Sequence, residues 1–369
     1  MDFQKNTSRF RCAAGLLGCM VAAPVLADSI DPEAFTATLA VGESITIQKT
    51  VTVSAGSPST SRADVFFLVD TSGSMGGIIN SVKSNAGSIL SSTSGFGDIA
   101  WGVGSYEDFP TSPWGGSGDE AWRLNQAITT DAALVQNGIN SLTLGYGNDG
   151  PESNLYALSQ AASEASWRAG AQKFVVWFGD AEGHDPDTTP GYPGPTLSQT
   201  IDTLTGEMIT VIGVNSGYVS GGLDQTGQAT AITDATGGNY VSIGSNPGDL
   251  IVDTILDSLE AAFAVYSQVS LAAYDNLPGV DVSISAGYFG SYDRSEEREF
   301  TFDVTFTALA EGVHDFYIDA LVDGGIIGTE LDRIIVTNGG STPVSEPGAL
   351  SLLFAGMGLL VAARRRRQQ

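Results

Sequence analysis

The chain has 369 residues, enough for two domains, and carries 16 Lys+Arg against 42 Asp+Glu for a formal net charge of −26. Such acidity argues against nucleic acid and against anionic membrane surfaces as partners, and it suits an exported surface and a site filled by cations. Both cysteines, Cys12 and Cys19, lie in an N-terminal apolar stretch, so the body of the chain has no thiol, no disulfide and no cysteine metal site.

Residues 1–27 read as a secretory signal. Lys5, Arg9 and Arg11 precede the apolar run Cys12–Leu26, and Val25 and Ala27 suit a cleavage that leaves Asp28 first. The run "LLGC" offers lipoprotein processing at Cys19 as the alternative. Residues 28–60 come next. "AFTATLAVGESITIQKTVTV", 34–53, alternates apolar and polar residues as a strand does, and "SAGSPSTSRA" is a linker by composition.

A βα rhythm fills residues 61–265. Strands are predicted at Val65–Val69, Ile99–Ser105, Phe174–Phe178, Met208–Val214 and Tyr240–Ile243. Helices are predicted at Gly77–Ser92, Ala132–Ser141, Asn154–Arg168, Thr196–Leu204, Gln225–Ala235 and Gly248–Ala264. Pro195 and Pro247 suit first helical positions, Pro247 after a capping Asn246. Apolar runs such as "DVFFLVD" and "KFVVWFGD" imply strands covered on both faces. The expected fold class is therefore α/β, a doubly wound, mostly parallel sheet. From residue 266 to 338 the pattern becomes alternating strands separated by Gly, Asp and Asn, the signature of an antiparallel β-sandwich. The α/β unit is expected to be inserted into that sandwich or flanked by it, the strands at 34–53 supplying the other half.

Residues 339–369 read as a second address label. Ser345-Glu346-Pro347 precedes the apolar run 349–363 and the four arginines Arg364–Arg367. The run is short for a spanning helix, which makes it a marginal anchor with its arginines on the cytoplasmic side.

The chemistry concentrates where predicted strands end. Asp70, Ser72 and Ser74 follow the first strand of the βα region, Gly179-Asp180 follows the strand ending at Phe178, and "GYGNDGPES" places Asp149 and Glu152 before a helix. In a doubly wound sheet these carboxyl ends gather ligands. All the donors are oxygens, which selects a hard cation, Mg²⁺, Ca²⁺ or Mn²⁺. Two neutral hydroxyls leave cation charge uncompensated, so the ion could take a carboxylate from outside.

At these residues the chain resembles the von Willebrand factor A (VWA) family. Asp70-Thr71-Ser72-Gly73-Ser74 is similar to its D-x-S-x-S motif, with Met75 following. The resemblance implies a Rossmann-like fold and a metal-ion-dependent adhesion site formed by Asp70, Ser72, Ser74, Glu152 and Asp180. "IAWGVGSYEDFP" and "DGPES" look most like the I-like domain of integrin β subunits, which implies a second cation site from Asp108, Asp149, the Pro151 carbonyl and Glu152. Integrins carry paired aspartates where Gly76 and Gly77 stand here, so no third site is expected. Gly147 also stands where the second site would have an asparagine. The tail resembles the PEP-CTERM sorting signal of Gram-negative bacteria, with Ser345 in place of the first proline. That implies cleavage by an exosortase, transient anchoring in the inner membrane and a final place at the cell surface or in the extracellular matrix.

The expected function is cation-dependent adhesion, the metal being completed by the acidic group of an extracellular protein or polysaccharide. The alternative is a structural matrix protein of an exopolysaccharide biofilm whose cations only staple acidic loops. A metal-dependent hydrolase lacks a general base, and "DTSGSM" is not a Gly-x-Ser-x-Gly nucleophile turn, so no enzyme is expected. His184, in "GDAEGHDP", is read as a rim residue without chemistry, and His314 as structural. The tryptophans read as core residues except Trp114, which either contacts a partner or packs its own loop.

Overall fold

The computed structural model describes residues 27–58, 61–217, 221–273 and 279–338. The signal segment 1–27, but for its last residue, and the tail 339–369 lie outside the described residues. Among the described residues no helix is long and apolar enough to cross a membrane.

The elements run in the order β1 (Ser29–Asp31), β2 (Ala34–Ala40), β3 (Ser44–Val53), β4 (Ser61–Asp70), α1 (Gly76–Thr93), β5 (Gly97–Tyr106), β6 (Arg123–Thr129), α2 (Ala132–Asn140), α3 (Asn154–Glu164), β7 (Gln172–Gly179), α4 (Leu197–Gly206), β8 (Ile209–Asn215), α5 (Gln228–Thr236), β9 (Tyr240–Ser242) and α6 (Leu250–Phe263). Then follow β10 (Val265–Ala273), β11 (Val280–Ile284), β12 (Tyr288–Asp293), β13 (Arg298–Ala308), β14 (Gly312–Val322) and β15 (Gly325–Thr337).

The strands form three sheets, ordered β1-β3-β13-β11, β12-β10-β14-β15-β2 and β6-β5-β4-β7-β8-β9. The first is antiparallel throughout. The second is antiparallel except where β15 pairs with β2. These two sheets face each other over one core, in which Phe302, Val304 and Phe306 from one meet Val269, Ile318 and Ile334 from the other. The third sheet is mixed: β4, β5, β7, β8 and β9 run parallel and β6 is antiparallel on the edge. Period-two alternation splits β4 between its faces. Val65, Phe67 and Val69 pack with α1 and α6, while Phe66 and Leu68 pack with α3 and α5.

This arrangement corrects the expected class. Of the described residues 40% are in strands and 26% in helices, and the three sheets are mixed or antiparallel, so the molecule is a mostly β, sandwich-like structure and not a doubly wound α/β fold. The apolar runs report only that a strand is covered on both faces. They do not weigh the helical stretch against nine strands, β1–β3 and β10–β15, contributed by the flanks. Nor does any periodicity in "RLNQAIT" reveal β6, half-buried on an edge.

Smaller differences have local causes. The run 34–53 breaks at Gly42, whose φ of 87° turns the chain, so β2 and β3 enter different sheets. Neither proline stands at a first helical position. Thr196, after Pro195, is the cap of α4 and shares a capping box with Gln199. Helix α6 starts at Leu250, beyond Pro247, and Asn246 lies instead over Gly77.

The N-terminal segment is tied to the sandwich by a buried ion pair. Asp28 accepts from Arg294 Nη1 at 2.8 Å and Nη2 at 2.9 Å, and its Oδ1 also accepts from the Ser54 N–H and hydroxyl. Breaking such a pair from one side leaves a buried guanidinium without its counter-charge. Asp28→Ala is expected to lower the unfolding free energy by about 3–5 kcal/mol, read from urea denaturation; a loss under about 1 kcal/mol would show that Arg294 finds water instead.

Candidate metal centre

Strand β4 delivers Asp70 to the end of the third sheet, where the residue is fully buried. The next residues turn sharply. The Ser72 N–H donates to Asp70 Oδ1 at 2.8 Å, the Thr71 N–H donates to the Tyr106 carbonyl at 2.8 Å, and the Met75 N–H donates to the Ser72 carbonyl at 3.1 Å. Met75 is buried beneath the turn, with the Ser216 hydroxyl on its sulfur at 3.1 Å. The two hydroxyls, Ser72 Oγ and Ser74 Oγ, come within 3.4 Å of each other.

Two other loops complete the place. Ser153 donates its hydroxyl to the Glu107 and Ala121 carbonyls, at 2.9 and 2.8 Å, and so pins the segment carrying Glu152. Glu152 is then joined to the loop after β7 by two backbone bonds, its N–H to the Glu182 carbonyl and the His184 N–H to its own carbonyl, both at 2.9 Å. Ser72, Ser74, Asp149, Glu152 and Asp180 thereby line one open cleft, with Tyr146 and Asn246 on its rim. Asp70 is buried behind Ser72, whose N–H it accepts, and beside Gly179, where an added Cβ would stand 3.7 Å from Asp70 Oδ2 and closer still to Leu223 and the Tyr106 hydroxyl.

The electrostatics of this cleft are one-sided. Burial raises the Asp70 carboxyl well above the usual carboxylate range, and the charge of Asp180 adds to the shift. Glu152 is raised further, first by burial and then by Asp70, Asp108, Asp149 and Asp180. Burial also raises Asp180, while the Ser74 hydroxyl pulls the other way. Asp70 Oδ2 and Glu152 Oε2 are buried without a hydrogen-bond partner. Orphaned carboxylate oxygens converging on hydroxyls fit a hard divalent cation, which would satisfy the lone pairs and remove the repulsion. Asp70, Ser72, Ser74, Glu152 and Asp180 are the residues that would hold it.

The second proposed set is differently furnished from the expectation. Asp108 is buried, and its Oδ1 accepts from the Phe109 N–H at 2.6 Å and the Tyr192 hydroxyl at 3.0 Å. Its Oδ2 faces His184 Nε2 at 3.1 Å, and Asp149 Oδ1 faces the same nitrogen at 3.3 Å. His184 is only 3% exposed and stacks on Tyr192 with ring centroids 4.5 Å apart. The rim reading of His184 is therefore corrected: the turn after Asp180 folds it inward, between two aspartates. Burial pushes its pKa down, but the bonds to and charges of Asp108 and Asp149 outweigh this and the net shift is upward. Asp108, Asp149 and His184 present ligand atoms within 4.8 Å of one another and could hold an ion with mixed N and O donors. Glu152 lines the first cleft.

Other residues fall into place around the site. Trp114 packs edge-on against Tyr192 at 5.5 Å, so of its two readings loop packing is the one with a contact behind it. His314 sits in β14, its Nε2 3.0 Å from the Ala310 carbonyl, in the sandwich. Gly77 has a packing role: a Cβ there would stand 2.1 Å from the Ser245 carbonyl oxygen. Sequence reasoning missed Tyr146, 85% exposed at the cleft's edge, with Leu144 half-exposed beside it. The only signal for it was an aromatic residue flanked by two glycines in a polar loop.

No protein-family model matches the chain, and no curated protein matches it. Among solved structures, that of proximal thread matrix protein 1 (PTMP1) from the mussel byssus is similar at a TM-score of 0.40 and 16% identity, over 58% of this chain and 48% of that one. The chain thus spans about half the length of that protein, and a likeness at this level assigns neither fold nor function.

The cleft predicts proton-coupled cation binding. Carboxyls raised above their unfolded values destabilise the ion-free native state as pH rises from the unfolded range near 4 through their native values, and a cation reverses that loss. Calorimetric titration with Mg²⁺, Ca²⁺ and Mn²⁺ in buffers of differing ionisation heat is expected to show proton release on binding. Asp70→Ala is expected to abolish this binding with the far-ultraviolet circular dichroism unchanged; unaltered cation affinity in the variant would remove Asp70 from the site.

Proposed function

We propose that the protein is an exported recognition module that uses a divalent cation to capture a carboxylate from an extracellular partner. The observation that carries the reading is the cleft itself: buried, unpartnered carboxylate oxygens from Asp70 and Glu152 stand beside the hydroxyl-bearing turn Ser72–Ser74, and the cleft lined by Ser72, Ser74, Glu152 and Asp180 opens to solvent. The likeness of Asp70–Ser74 to the D-x-S-x-S adhesion motif of the VWA family points the same way, as do the signal-like N-terminus and the sorting-like tail. A cation held partly by neutral hydroxyls keeps an electrophilic face toward the opening, and an external carboxylate completes it. Tyr146 and Leu144 supply an apolar shoulder beside that face, the kind of exposed aromatic that anchors a partner.

Two acidic probes test this, polyglutamate and polygalacturonate, presented to the immobilised protein. Retention in Mg²⁺ or Mn²⁺ that disappears in chelator, while the circular dichroism is kept, is the expected result. Unfolding in chelator with no retention beforehand would favour cations that only staple the three loops, as in a matrix protein. Tyr146→Ala is expected to weaken retention about tenfold without changing cation affinity, since its side chain reaches the rim and not the ion; an equal loss of cation affinity would move Tyr146 into the metal site.

A further inference from the structure

A second concentration of buried charge lies far from the cleft, inside the sandwich. Lys49 is on β3 in one sheet, and Glu330 and Asp332 are on β15 in the facing sheet, Asp332 being 283 residues away in sequence. All three side chains are fully buried. Lys49 follows the inward alternation of Ile45, Ile47, Val51 and Val53, and it stands opposite Phe302 across the β3–β13 pair. Glu330 and Asp332 alternate with Ile334 and Val336 on the inner face of β15.

The amine addresses its neighbours unequally. Lys49 Nζ lies 3.2 Å from Asp332 Oδ1 and 3.1 Å from Oδ2, so it is centred on one carboxyl group. A single oxygen of Glu330, Oε1, is in close contact with the same nitrogen. Neither Glu330 oxygen, nor Asp332 Oδ2, finds a geometrically sound hydrogen bond. One ammonium facing two carboxylates in an apolar layer is poorly compensated. Burial pushes Glu330 up to about 7 even though Lys49 pulls it down, and Asp332 is raised by burial as well.

We propose that this triad closes an intramolecular isopeptide bond between Lys49 and Asp332, with Glu330 carrying the proton. Glu330 takes a proton from Nζ and frees the lone pair. Nζ attacks the Asp332 carboxyl carbon, the N–C bond forms, and a C–O bond of the carboxyl breaks. Glu330 returns that proton to the departing oxygen and then relays to it the second proton that the nitrogen sheds as the amide forms, so the oxygen leaves as water. An ammonium and a carboxylate become an amide and water, Glu330 is regenerated, and no oxidant or other co-reactant enters. Two features of the site favour the step. Holding amine and carboxyl in contact corresponds to an effective molarity of about 10⁵–10⁸ M. Replacing two buried ions by a neutral amide also removes the desolvation cost that otherwise opposes the fold. The bond would join the two sheets covalently in a chain whose body has no disulfide.

The full-length protein, purified folded, is digested with trypsin and its peptides are sequenced by mass spectrometry. The expected product is a branched peptide joining the Lys49 and Asp332 segments, lighter than their sum by one water, with no cleavage after Lys49. Recovery of the two separate peptides from folded protein would overturn the proposal. A branch to Glu330 instead would overturn the assignment of acceptor and proton carrier. Lys49→Arg keeps the positive charge and is expected to give no branch. Glu330→Gln, folded by circular dichroism, is expected to yield little or none; a full yield would remove Glu330 from the chemistry. The wild-type measurement stands even where a variant fails to fold.

Discussion

Buried negative charge must find a positive partner, and that constraint organises both chemically distinctive places in this molecule. At the end of the third sheet, Asp70, Glu152 and Asp180 are drawn out of water together, and Asp70 and Glu152 each keep an oxygen without a hydrogen-bond partner. In the sandwich, Glu330 and Asp332 are drawn in just as deeply, but Lys49 is drawn in with them. The first place is open to solvent and suits an ion from outside. The second is sealed and has only what the chain itself provides.

The open site is made by loops, and backbone bonds hold the loops. Turn 70–75 is fixed by the Asp70–Ser72 contact, the 145–153 segment by Ser153 and by the Gly145 N–H on the Thr71 carbonyl, and the 180–184 segment by its bridge to Glu152. The carboxylates are thereby positioned before any cation arrives, which limits the ordering cost of binding. Glycine enforces the spacing at two points. Gly145 admits the Glu107 carboxyl, which a Cβ would overlap, and Gly147, at φ +62°, brings its backbone against Glu152. His184 shows how a polar pocket can be closed from within, because its ring occupies the ground between Asp108 and Asp149 and is held there by Tyr192.

The sandwich gives the flanks of the chain a common core, and its two ends meet there. Asp28 with Arg294, β15 with β2, and Lys49 with Asp332 all join the N-terminal strands to C-terminal ones. A load applied to the flanks would be carried through these contacts.

The sequence by itself determined the oxygen-rich donor set, the strand-end position of Asp70 and Asp180, the absence of thiols from the body, and the alternation of residues 34–53. Each follows from residue type or from an unbroken period-two pattern. Tertiary structure alone decided three things. The balance of sheet against helix over the whole chain, and the edge strand β6, depend on pairings that no local window contains. The inward turn of His184 depends on a bridge between loops over thirty residues apart. The burial of Glu330 and Asp332 depends on a register shift between β14 and β15, where Ala320 pairs with Gly328 and Leu321 with Ile326. That one extra residue exchanges the faces of the strand, so Leu331 points to solvent and its acidic neighbours enter the core.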